Sequence, residues 1–395
     1  MQLAPEAVVR RLAALVRDRP ELAIAVLLGI GLLVAGAYFV WLYRRPAGRR
    51  LFSLLADRDA VTVLVHPNPD PDAMAAAMGV EALAEQAGAE ATIRYSGTVG
   101  HQENRAFRTV LDLEMEPVER AADLGDDPVI LVDHNQARGF EGAGGVTPLA
   151  VVDHHPGDGT AETFTDVRTE YGAAASLVGE YFEDVGALPV PPDDHASEID
   201  ATLTLPSKVA TGLLYGILSD TDDLTRGAVP ADFAVASYLR PGVDEELLDR
   251  IANPQVSAEV LEAKARAIAG REVRGPFAVS DVGTLSNADA LPQAADELVA
   301  LEGVTAVVVC GEVDGVVRLS GRSRDDRVHM GRVMERTVDG LGEATGGGHA
   351  RMGGAQISRP GTGANATDGG GTVGRASVDR SALIERLFAA MGGEL

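Results

Sequence analysis

The stretch Val61–Ala73, VTVLVHPNPDPDA, is a run of β-branched and aliphatic residues that ends abruptly in His66, Asp70 and Asp72. This pattern predicts a buried strand whose carboxyl end brings three potential ligands into one small volume. Desolvating several carboxylates together is unfavourable unless a metal ion or another partner compensates for them. A chain that carries this stretch is therefore expected to build a charged site at one edge of a sheet.

Three further segments repeat the arrangement of apolar residues followed by acids and histidines. VILVDHN (129–135) contains Asp133, and LAVVDHHP (149–156) contains His154 and His155. GILSDTDD (216–223) carries Asp220 at the end of a predicted buried helix. Because strands alternate with helical patterns, the sequence predicts an α/β fold with a doubly wound, mostly parallel sheet. In such a sheet the functional crevice lies beyond the carboxyl ends of the strands, where these side chains fall.

Imidazole and carboxylate ligands together favour a divalent ion such as Mn²⁺, Fe²⁺ or Co²⁺ over an ion that prefers thiolates. The candidate metal ligands are His66, Asp70, Asp72, Asp133, His154 and Asp220. This set exceeds the need of one ion, so we expect two metal ions roughly 3.5–4 Å apart. The reaction class that such a centre predicts is metal-assisted hydrolysis of a phosphate ester or anhydride.

The motifs occur in an order that resembles the DHH–DHHA1 phosphoesterase family. Asp153-His154-His155 is accompanied by HPNPDPDA at 66–73, VDHN at 132–135 and GILSDTDD at 216–223. SGRS at 320–323 and GGGH at 346–349 follow later in the chain. Each motif alone is a weak signal, but their shared order is specific, and the resemblance covers about residues 60–395.

The resemblance implies a role for each matching position. One metal ion would be bound by His66, Asp70 and Asp133, and the second by Asp72, Asp133, His154 and Asp220, with Asp133 bridging the two. The implied catalytic residues are Asp133, His154 and His155, the last of which would orient the site or contact the phosphate. The implied substrate ligands are Arg322, Ser323, Gly346, Gly347, Gly348 and His349. The implied cofactors are two Mn²⁺ ions, with Mg²⁺ or Co²⁺ as substitutes.

Residues Leu22–Tyr43, LAIAVLLGIGLLVAGAYFVWLY, are uncharged throughout, and about twenty apolar residues suffice to cross a bilayer. Aromatic residues lie towards the end of this segment, and RRPAGRR follows at 44–50. A cleaved signal peptide is the alternative, but the apolar run is long for one and no A-x-A site precedes the arginines. We therefore expect a single-pass anchor in the cell membrane. The dense arginine cluster after it favours a cytoplasmic position for the catalytic domains.

The chain of 395 residues is long enough for several domains with apolar cores. We expect an N-terminal tail and transmembrane helix over 1–50, followed by a DHH catalytic domain over 51–252. A connecting helix over 253–274 is then expected to lead to a smaller α/β DHHA1 domain over 275–395. The family resemblance is also consistent with a homodimer formed through the catalytic domain.

The formal net charge of −25 argues against a broad nucleic-acid-binding surface, which is normally basic. Lysine occurs only at Lys208 and Lys264, and this acidic composition favours a halophilic, haloarchaeal protein. Ordinary acidity encoded by a GC-rich genome is the alternative. The single Cys310 lies in an apolar run, which predicts a buried thiol and no disulfide or thiolate metal site.

Other polar residues near the motifs have separate interpretations. Four are expected to be solvated or structural, namely Asp222, Asp223, His134 and Asn135. Two are candidates for the substrate side, namely His101 and Asn104, and two are expected at the surface, namely His195 and His329.

The leading functional hypothesis is a Mn²⁺-dependent phosphodiesterase for small nucleotides, such as cyclic di-AMP, linear dinucleotides, very short RNA or 3′-phosphoadenosine 5′-phosphate. The acidic charge suits a small substrate better than a long polynucleotide. A RecJ-like single-strand exonuclease is a second hypothesis, but it needs a basic or aromatic track, and aromatic residues make up only 4% of the chain. A manganese inorganic pyrophosphatase is a third, against which the late GGGH motif argues, and a non-catalytic nucleotide sensor is a fourth.

Overall fold

The computed structural model describes the chain over residues 45–325, 327–358 and 379–395, with a few isolated positions between 21 and 31. Over these residues the chain forms two compact units. The first unit comprises residues 45–99 and 103–252, and the second comprises residues 100–102 and those from 253 onwards. Each unit has its own six-stranded sheet and its own apolar core.

The first unit is organised by a parallel sheet. Its strands are β1 (Ala60–Val65), β2 (Glu90–Tyr95), β3 (Glu116–Pro117), β4 (Val129–Val132), β5 (Ala150–Asp153) and β6 (Phe164–Val167). The spatial order is β3-β2-β1-β4-β5-β6, and every neighbouring pair is parallel, which confirms the predicted parallel α/β sheet. Because the chain order reverses between β1 and β4, the carboxyl ends of these two strands are the expected place for a functional crevice.

The helices of the first unit lie on one side of this sheet and share one apolar core with it. They are α1 (Ala47–Ala56), α2 (Pro71–Ala87), α3 (Gln102–Val110), α4 (Ala174–Val185), α5 (Ser207–Asp220), α6 (Pro230–Leu239) and α7 (Glu245–Ala252). Helix α2 is almost wholly buried, and its small side chains let α4 and α5 approach closely. A Cβ on Gly216 of α5 would lie 2.9 Å from the Cβ of Ala75 and 3.2 Å from the Cα of Asp72. This approach brings the end of α5 to the beginning of α2.

The other face of the sheet differs from the prediction. Its apolar side chains, which include Leu64, Leu131 and Val151, pack against irregular segments and two short 3₁₀ turns. Among the described residues, no α-helix contributes to this cluster, so the expectation of a doubly wound sheet is wrong for this face. The segments that cover it, 118–128 and 133–149, are interrupted by glycine and proline, which disfavour a regular helix.

The acidic, proline-rich segment after α4 is bracketed by a separate pair of short strands, β7 (Leu188–Pro189) and β8 (Thr204–Leu205). Residues 253–274, predicted as a connecting helix, belong instead to the second unit. They contain α8 (Ala258–Ala269) and β9 (Glu272–Arg274), which join the core and the sheet of that unit. The predicted membrane segment Leu22–Tyr43 lies outside the described residues, apart from isolated positions. Where the structure describes the chain, it contains no helix long and apolar enough to cross a membrane.

The second unit contains a mixed sheet and four helices among the described residues. Its elements after β9 are β10 (Phe277–Leu285), α9 (Ala290–Val299), β11 (Ala306–Val313), β12 (Val316–Ser323), α10 (Met330–Val338), β13 (Ala344–Gly348), β14 (Met352–Ile357) and α11 (Arg380–Gly392). The spatial order of the strands is β13-β14-β12-β11-β10-β9. Helices α10 and α11 pack on one face, and α8 and α9 pack on the other. Cys310 of β11 is fully buried, as predicted.

Candidate metal centre

His66 and Asp133 follow the two strands between which the chain order reverses. His66 comes directly after β1, and Asp133 comes directly after β4. The Nε2 atom of His66 lies 3.3 Å from Oδ2 of Asp133 and 3.5 Å from Oδ2 of Asp70. Its Nδ1 atom lies 3.0 Å from the carbonyl oxygen of Pro67, to which it can only donate. This bond leaves the lone pair of Nε2 available, which is the arrangement that metal-binding histidines adopt.

Asp70 lies at the start of α2 and not on an extended sheet edge. It is the N-cap residue, and its Oδ1 atom accepts a hydrogen bond from the amide of Ala73 at 3.0 Å. Pro71 occupies the first helical position, where its fixed φ and missing N–H are compatible with the helix. The cap therefore uses one oxygen of Asp70 and leaves the other for His66.

Asp72 is fully buried two residues further on. Its two oxygens accept hydrogen bonds from the amides of Ala174 and Ala175 at 2.7 and 2.8 Å. These amides belong to the first turn of α4, where the helix leaves backbone donors unpaired and its dipole favours a negative charge. The first turn of α4 therefore holds the Asp72 carboxylate in one orientation.

A second group of potential metal ligands surrounds His154. Its Nε2 atom lies 3.3 Å from Oδ1 of Asp133, 3.4 Å from Oδ2 of Asp220 and 3.7 Å from Oδ2 of Asp72. Asp220 is the last residue of α5 and its side chain is 30% exposed, so this group is accessible to solvent. Nδ1 of His154 donates to the carbonyl oxygen of Tyr171 at 3.2 Å. Asp133 thus turns one oxygen towards each of the two groups.

Asp133 has an unusual backbone conformation. Its φ is 60°, in the left-handed region that residues other than glycine rarely adopt. The residue is buried, and its amide donates to the carbonyl of Val152 in the neighbouring strand β5 at 2.9 Å. Such strained backbone conformations cluster at functional sites, where the surrounding structure imposes them.

Asp153, the first residue of the DHH motif, is buried and orients its neighbours. Its Oδ1 atom lies 3.0 Å from both the backbone amide and Nδ1 of His155, and its Oδ2 atom accepts from Asn135 at 2.6 Å. Nδ1 of His155 also lies 3.4 Å from Oδ1 of Asp133, while the side chain is 53% exposed. The sequence prediction gave Asp153 no role, although its position before two histidines at a strand end was the available signal.

The carboxylates raise the pKa values of the three histidines. Burial lowers the pKa of His66, but hydrogen bonds to Asp133 and Asp70 outweigh this effect and raise it to about 11. Burial likewise lowers the pKa of His154, but Asp133 and Asp72 together outweigh this effect, so that the pKa is about 9. For His155, the carboxylates of Asp133 and then Asp153 beside its ring raise the pKa to about 10. Without a cation, protonated imidazole rings offset the negative charge of the carboxylates.

The pKa values of the carboxylates diverge. Burial would raise the pKa of Asp133, but the rings of His154, His155 and His66 beside its oxygens hold it well below its usual range. Burial, followed by repulsion from neighbouring acids, raises the pKa of Asp72 well above its usual value and that of Asp220 to about 6. Positive charge is therefore insufficient around Asp72 and Asp220, which is the imbalance that a divalent cation corrects.

Oδ1 of Asp133 and Nε2 of His154 are buried and lie 3.3 Å apart, but neither has a partner with the geometry of a hydrogen bond among the described residues. Unpaired buried polar atoms are rare in folded proteins, and a bound ion is one of the few reasons for them. Three groups of ligand atoms each lie within 4.8 Å of one another, namely His66, Asp70 and Asp133; Asp72, His154 and Asp220; and Asp133, His154 and His155. Imidazole nitrogen combined with carboxylate oxygen suits divalent transition metals. The residues therefore fit divalent metal ions, and all six predicted ligands lie together.

The predicted substrate residues Arg322 and Ser323 have partners within the second unit. Arg322 is on β12, and its guanidinium forms a two-pronged ion pair with Asp296 of α9, at 2.5 and 3.2 Å. Ser323 is buried, and its hydroxyl donates to the carbonyl of Asp325 at 2.9 Å. These bonds stabilise the end of β12, and both side chains already have partners within the protein.

A cavity of about 520 Å³ opens beside α9, on the sheet face opposite α10. Its floor includes Ser320 of β12 and Gly354 and Gly347 of β14 and β13, which lie opposite one another across the three strands. Arg318 lines the same cavity, and its buried Nε atom has no hydrogen-bond partner within the described part of the chain. The sequence prediction missed Arg318 and Ser320. Their alternation with buried Val317 and Leu319 along the strand was the signal that could have found them.

The glycines of the GGGH motif serve two purposes. A Cβ on Gly346 would lie 2.8 Å from the carbonyl oxygen of Met334, so glycine is required there for packing against α10. A Cβ on Gly347 would meet only the end of the Glu335 side chain, at 3.9 Å. Gly348 has a φ of 140°, which other residues rarely adopt, and His349 follows in the exposed turn before β14. Of the three glycines in the motif, Gly347 is therefore the one that lines the cavity without a packing reason.

Two other polar residues singled out from the sequence, His134 and Asn104, are buried near the metal centre. His134 is buried with Nδ1 2.9 Å from the Val132 carbonyl, and burial lowers its pKa to about 4, which fits a structural role. Asn104 is buried too, and it donates to the carbonyl of Pro69 at 2.8 Å. It therefore supports the loop before Asp70, contrary to the expectation of a position on the substrate side.

The remaining acids and histidines lie at the surface or cap helices. Asp222 and Asp223 are exposed, with φ values of 45° and 57° in the turn after α5. His101 and His195 are exposed, and Nδ1 of His329 accepts from the amide of Arg332 as the N-cap of α10. None of these residues belongs to the groups of ligand atoms found among the described residues.

Comparison with family models gives two matches that follow one another along the chain. The DHH family, N-terminal domain, matches residues 60–217. The DHHA1 domain matches residues 274–369. The first match contains five of the six candidate metal ligands, and Asp220 lies just beyond it. The second match contains the GGGH motif.

Three curated relatives resemble the chain over most of the described residues. An uncharacterised protein of Methanocaldococcus jannaschii is 34% identical over 72% of this chain and 56% of that protein. The cyclic-di-AMP phosphodiesterase GdpP of Geobacillus thermodenitrificans is 30% identical over 80% of this chain and 47% of that protein. A probable manganese-dependent inorganic pyrophosphatase of Streptococcus thermophilus is 31% identical over 60% of this chain and 74% of that protein. The chain thus spans about half the length of the first two relatives.

Among solved structures, an exopolyphosphatase-related protein from Bacteroides fragilis has a TM-score of 0.59 against this chain. The match covers 87% of this chain and 94% of that protein, at 16% sequence identity. The two proteins therefore share a fold.

Proposed function

Because the chain belongs to the DHH family, with a DHH N-terminal domain followed by a DHHA1 domain, we propose that it is a metal-dependent phosphodiesterase for small nucleotides. The observation that carries the proposal is the position of Asp133, whose two oxygens face two separate groups of ligands. A carboxylate between two cation sites is the arrangement expected of a two-metal hydrolase. The relatives named as a cyclic-di-AMP phosphodiesterase and a probable manganese-dependent pyrophosphatase support phosphate chemistry and manganese.

We assign the first cation site to His66, Asp70 and Asp133 and the second to Asp72, Asp133, His154 and Asp220, with Mn²⁺ preferred and Mg²⁺ or Co²⁺ as substitutes. When bound, the ions would activate a water molecule and offset the charge that develops on the phosphoryl group. Asp133 turns one oxygen towards each group of ligands and would hold the two sites at a fixed separation. His155 is oriented by Asp153 and has an exposed side chain, so we assign it to contact a phosphoryl oxygen or transfer a proton.

The second unit is proposed to bind the nucleotide part of the substrate in the cavity beside α9. The bare floor at Gly347 lets a flat group approach the backbone closely, and Arg318 offers an unpaired donor to an anion or a base edge. Gly346, Gly348 and His349 would shape the adjoining turn. Arg322 and Ser323 were predicted as direct ligands, and their internal bonds favour a role in supporting the strand that carries Arg318.

Three further proposals concern the setting of the enzyme. The uncharged segment Leu22–Tyr43 and the arginines after it support a single-pass membrane anchor with the catalytic units in the cytoplasm. The net charge of −25 supports adaptation to high salt, and the family resemblance supports a homodimer. Membrane fractionation, salt-dependent activity and the mass of the detergent-solubilised protein test these three proposals in turn.

The test of function is hydrolysis by the full chain in detergent with Mn²⁺, against EDTA-treated enzyme and an Asp133→Ala variant. The substrates are cyclic di-AMP, linear pApA, a short RNA, 3′-phosphoadenosine 5′-phosphate, pyrophosphate and single-stranded DNA. We expect turnover of one or more of the first four, abolished by EDTA and by the substitution. Preference for pyrophosphate would favour a pyrophosphatase, and stepwise loss of DNA would favour an exonuclease. Nucleotide binding without any turnover would favour a sensor.

A further inference from the structure

The metal ligand His154 depends on a backbone carbonyl that lies outside any regular element. Nδ1 of His154 donates to Tyr171, which lies between β6 and α4. A ligating histidine needs this second bond, because it fixes both the tautomer and the direction of the ring. The position of His154 therefore depends on what holds the Tyr171 carbonyl in place.

The residue after Tyr171 is held by a carboxylate from a distant helix. Asp232 of α6 is fully buried, and both of its oxygens lie 3.2 Å from the amide nitrogen of Gly172. Its Oδ1 atom also accepts from the hydroxyl of Ser176 at 2.6 Å, and its Oδ2 atom accepts from the amide of Val229 at 2.7 Å. A Cβ on Gly172 would lie 2.6 Å from Oδ2 of Asp232, so only glycine allows this contact.

The side chain of Tyr171 is held from the other direction. Its hydroxyl accepts from Arg168 at 3.0 Å and donates to Glu180 of α4. Arg168 is itself paired with Asp166 through two nitrogens, at 2.7 and 2.9 Å. The Tyr171 carbonyl, which accepts the hydrogen bond from His154, therefore lies between two anchored groups. These are the tyrosine ring and the Gly172 amide.

We propose that Asp232 is a positioning residue for the metal centre, acting through Gly172 and Tyr171 on His154. The proposal rests on the proposed metal-dependent function. A cap for α6 needs only the bond to Val229, whereas the bonds to Gly172 and Ser176 reach residues 60 and 56 positions away.

The same bonds also reach the ligand Asp72. Gly172 and Ser176 flank the first turn of α4, and the amides of Ala174 and Ala175 in that turn bind Asp72. Asp232 thus supports the segment that orients two ligands of one cation site, Asp72 and His154.

The experiment compares Asp232→Ala with Val235→Ala in the full chain. Val235 lies on the same helix, is buried, and packs against α4 at Gly179, so its truncation loosens the same contact between helices without touching Gly172. Mn²⁺ affinity is measured by titration with detection of free Mn²⁺ by electron paramagnetic resonance, and melting temperature is measured on the metal-free proteins. Asp232→Ala is expected to weaken Mn²⁺ binding about 10- to 100-fold, as loss of a group behind a ligand does. Val235→Ala is expected to lower the melting temperature while binding Mn²⁺ within about twofold of the parent.

Two further variants keep the test decisive if Asp232→Ala does not fold. Asp232→Asn retains an oxygen that can accept from Gly172, so it is expected to bind Mn²⁺ more tightly than Gly172→Ala. Gly172→Ala leaves the cap bond from Val229 to Asp232 available but forces the Gly172 amide away, so it is expected to weaken Mn²⁺ binding. Phosphodiester turnover by Gly172→Ala should recover as the Mn²⁺ concentration is raised.

Unchanged Mn²⁺ affinity in Gly172→Ala, or equal losses of Mn²⁺ affinity in Asp232→Ala and Val235→Ala, would overturn the proposal. If every folded variant binds Mn²⁺ as expected yet none of the substrates is turned over, only the proposed function fails.

Discussion

The metal centre of the first unit and the cavity of the second unit both collect polar side chains, but they differ in how those side chains are satisfied. In the metal centre, histidines and carboxylates contact one another, and three imidazole pKa values lie at about 9 to 11 because of it. In the cavity, the Nε atom of Arg318 has no hydrogen-bond partner within the described residues, and the floor is partly bare glycine backbone. The metal centre holds an excess of carboxylates in fixed orientations. The cavity offers a hydrogen-bond donor and open space.

This difference separates two functions that a hydrolase of nucleotides has to combine. A cation site needs ligands held before the ion arrives, which explains the buried carboxylates and the strained backbone at Asp133. The proposed nucleotide pocket would need room and unpaired donors. Among the described residues the Nε atom of Arg318 has no partner, while Arg322 on the same strand is bound to Asp296. Substitutions in the two regions should therefore affect different measured quantities.

The largest effect is expected at Asp133. Asp133→Ala removes an oxygen from both cation sites, so we expect loss of both metal ions and a fall in turnover of at least about 1,000-fold. Metal content by mass spectrometry and initial rates check this expectation. Asp133→Asn tolerates the left-handed backbone and isolates the effect of charge from that of strain. Asp222→Ala, an exposed acid in the turn after α5, is the matched control and should retain metal and rate. Two bound metals in Asp133→Ala would refute the ligand assignment.

The next effect separates two arginines on one strand. Arg318→Ala should raise KM about 10- to 100-fold with little change in metal content, since a hydrogen bond to a charged group contributes about 1.5–3 kcal/mol. Arg322→Ala should instead lower the melting temperature, because it breaks the pair with Asp296, and should change KM by less than about threefold. Steady-state kinetics and thermal melting check both variants. A larger rise in KM for Arg322→Ala than for Arg318→Ala would restore Arg322 as the direct ligand.

The two regions also differ in how far the sequence predicts them. The ligands of the metal centre could be predicted because each follows an apolar run, and the parallel sheet aligns the ends of those runs at one edge. The cavity could be predicted only in part. Gly346 and Gly347 of the expected substrate residues line it, but Arg318 and Ser320 were missed because its floor depends on how β12, β13 and β14 pair, and adjacent glycines in GGGH look alike in sequence. The helix-free face of the first sheet was missed for a related reason. Its cover consists of apolar side chains such as Leu124 in a short 3₁₀ turn and Phe140 in an irregular segment, which have no periodic pattern.

A smaller effect is expected from pH, and it should differ between the metal-free and metal-bound protein. His154, His155 and His66 have pKa values of about 9, 10 and 11, above the unfolded value of about 6.5. Their protonation therefore stabilises the metal-free fold below about pH 6.5, and this contribution is lost as the pH rises through 9 to 11. Mn²⁺ binding has to displace these protons, so affinity should rise over the same range. Melting curves from pH 6 to 10 with EDTA or Mn²⁺ check this contrast. Asp133→Asn should flatten the metal-free profile, and an equally steep profile in that variant would contradict the assignment.

The smallest effect is expected from one methyl group in the GGGH motif, and it separates packing from binding within the second unit. Gly347→Ala places a Cβ over the cavity floor, where the nearest atom is 3.9 Å away, so stability should change by less than about 0.5 kcal/mol. KM should nevertheless rise a few-fold, because a bound group can no longer lie against the backbone. Gly346→Ala directs its Cβ at the Met334 carbonyl, 2.8 Å away, and should destabilise the fold by about 1–3 kcal/mol. Denaturant unfolding and steady-state kinetics distinguish the two variants. If Gly347→Ala leaves KM unchanged while Arg318→Ala raises it, the nucleotide contacts the arginine side of the cavity and not its floor.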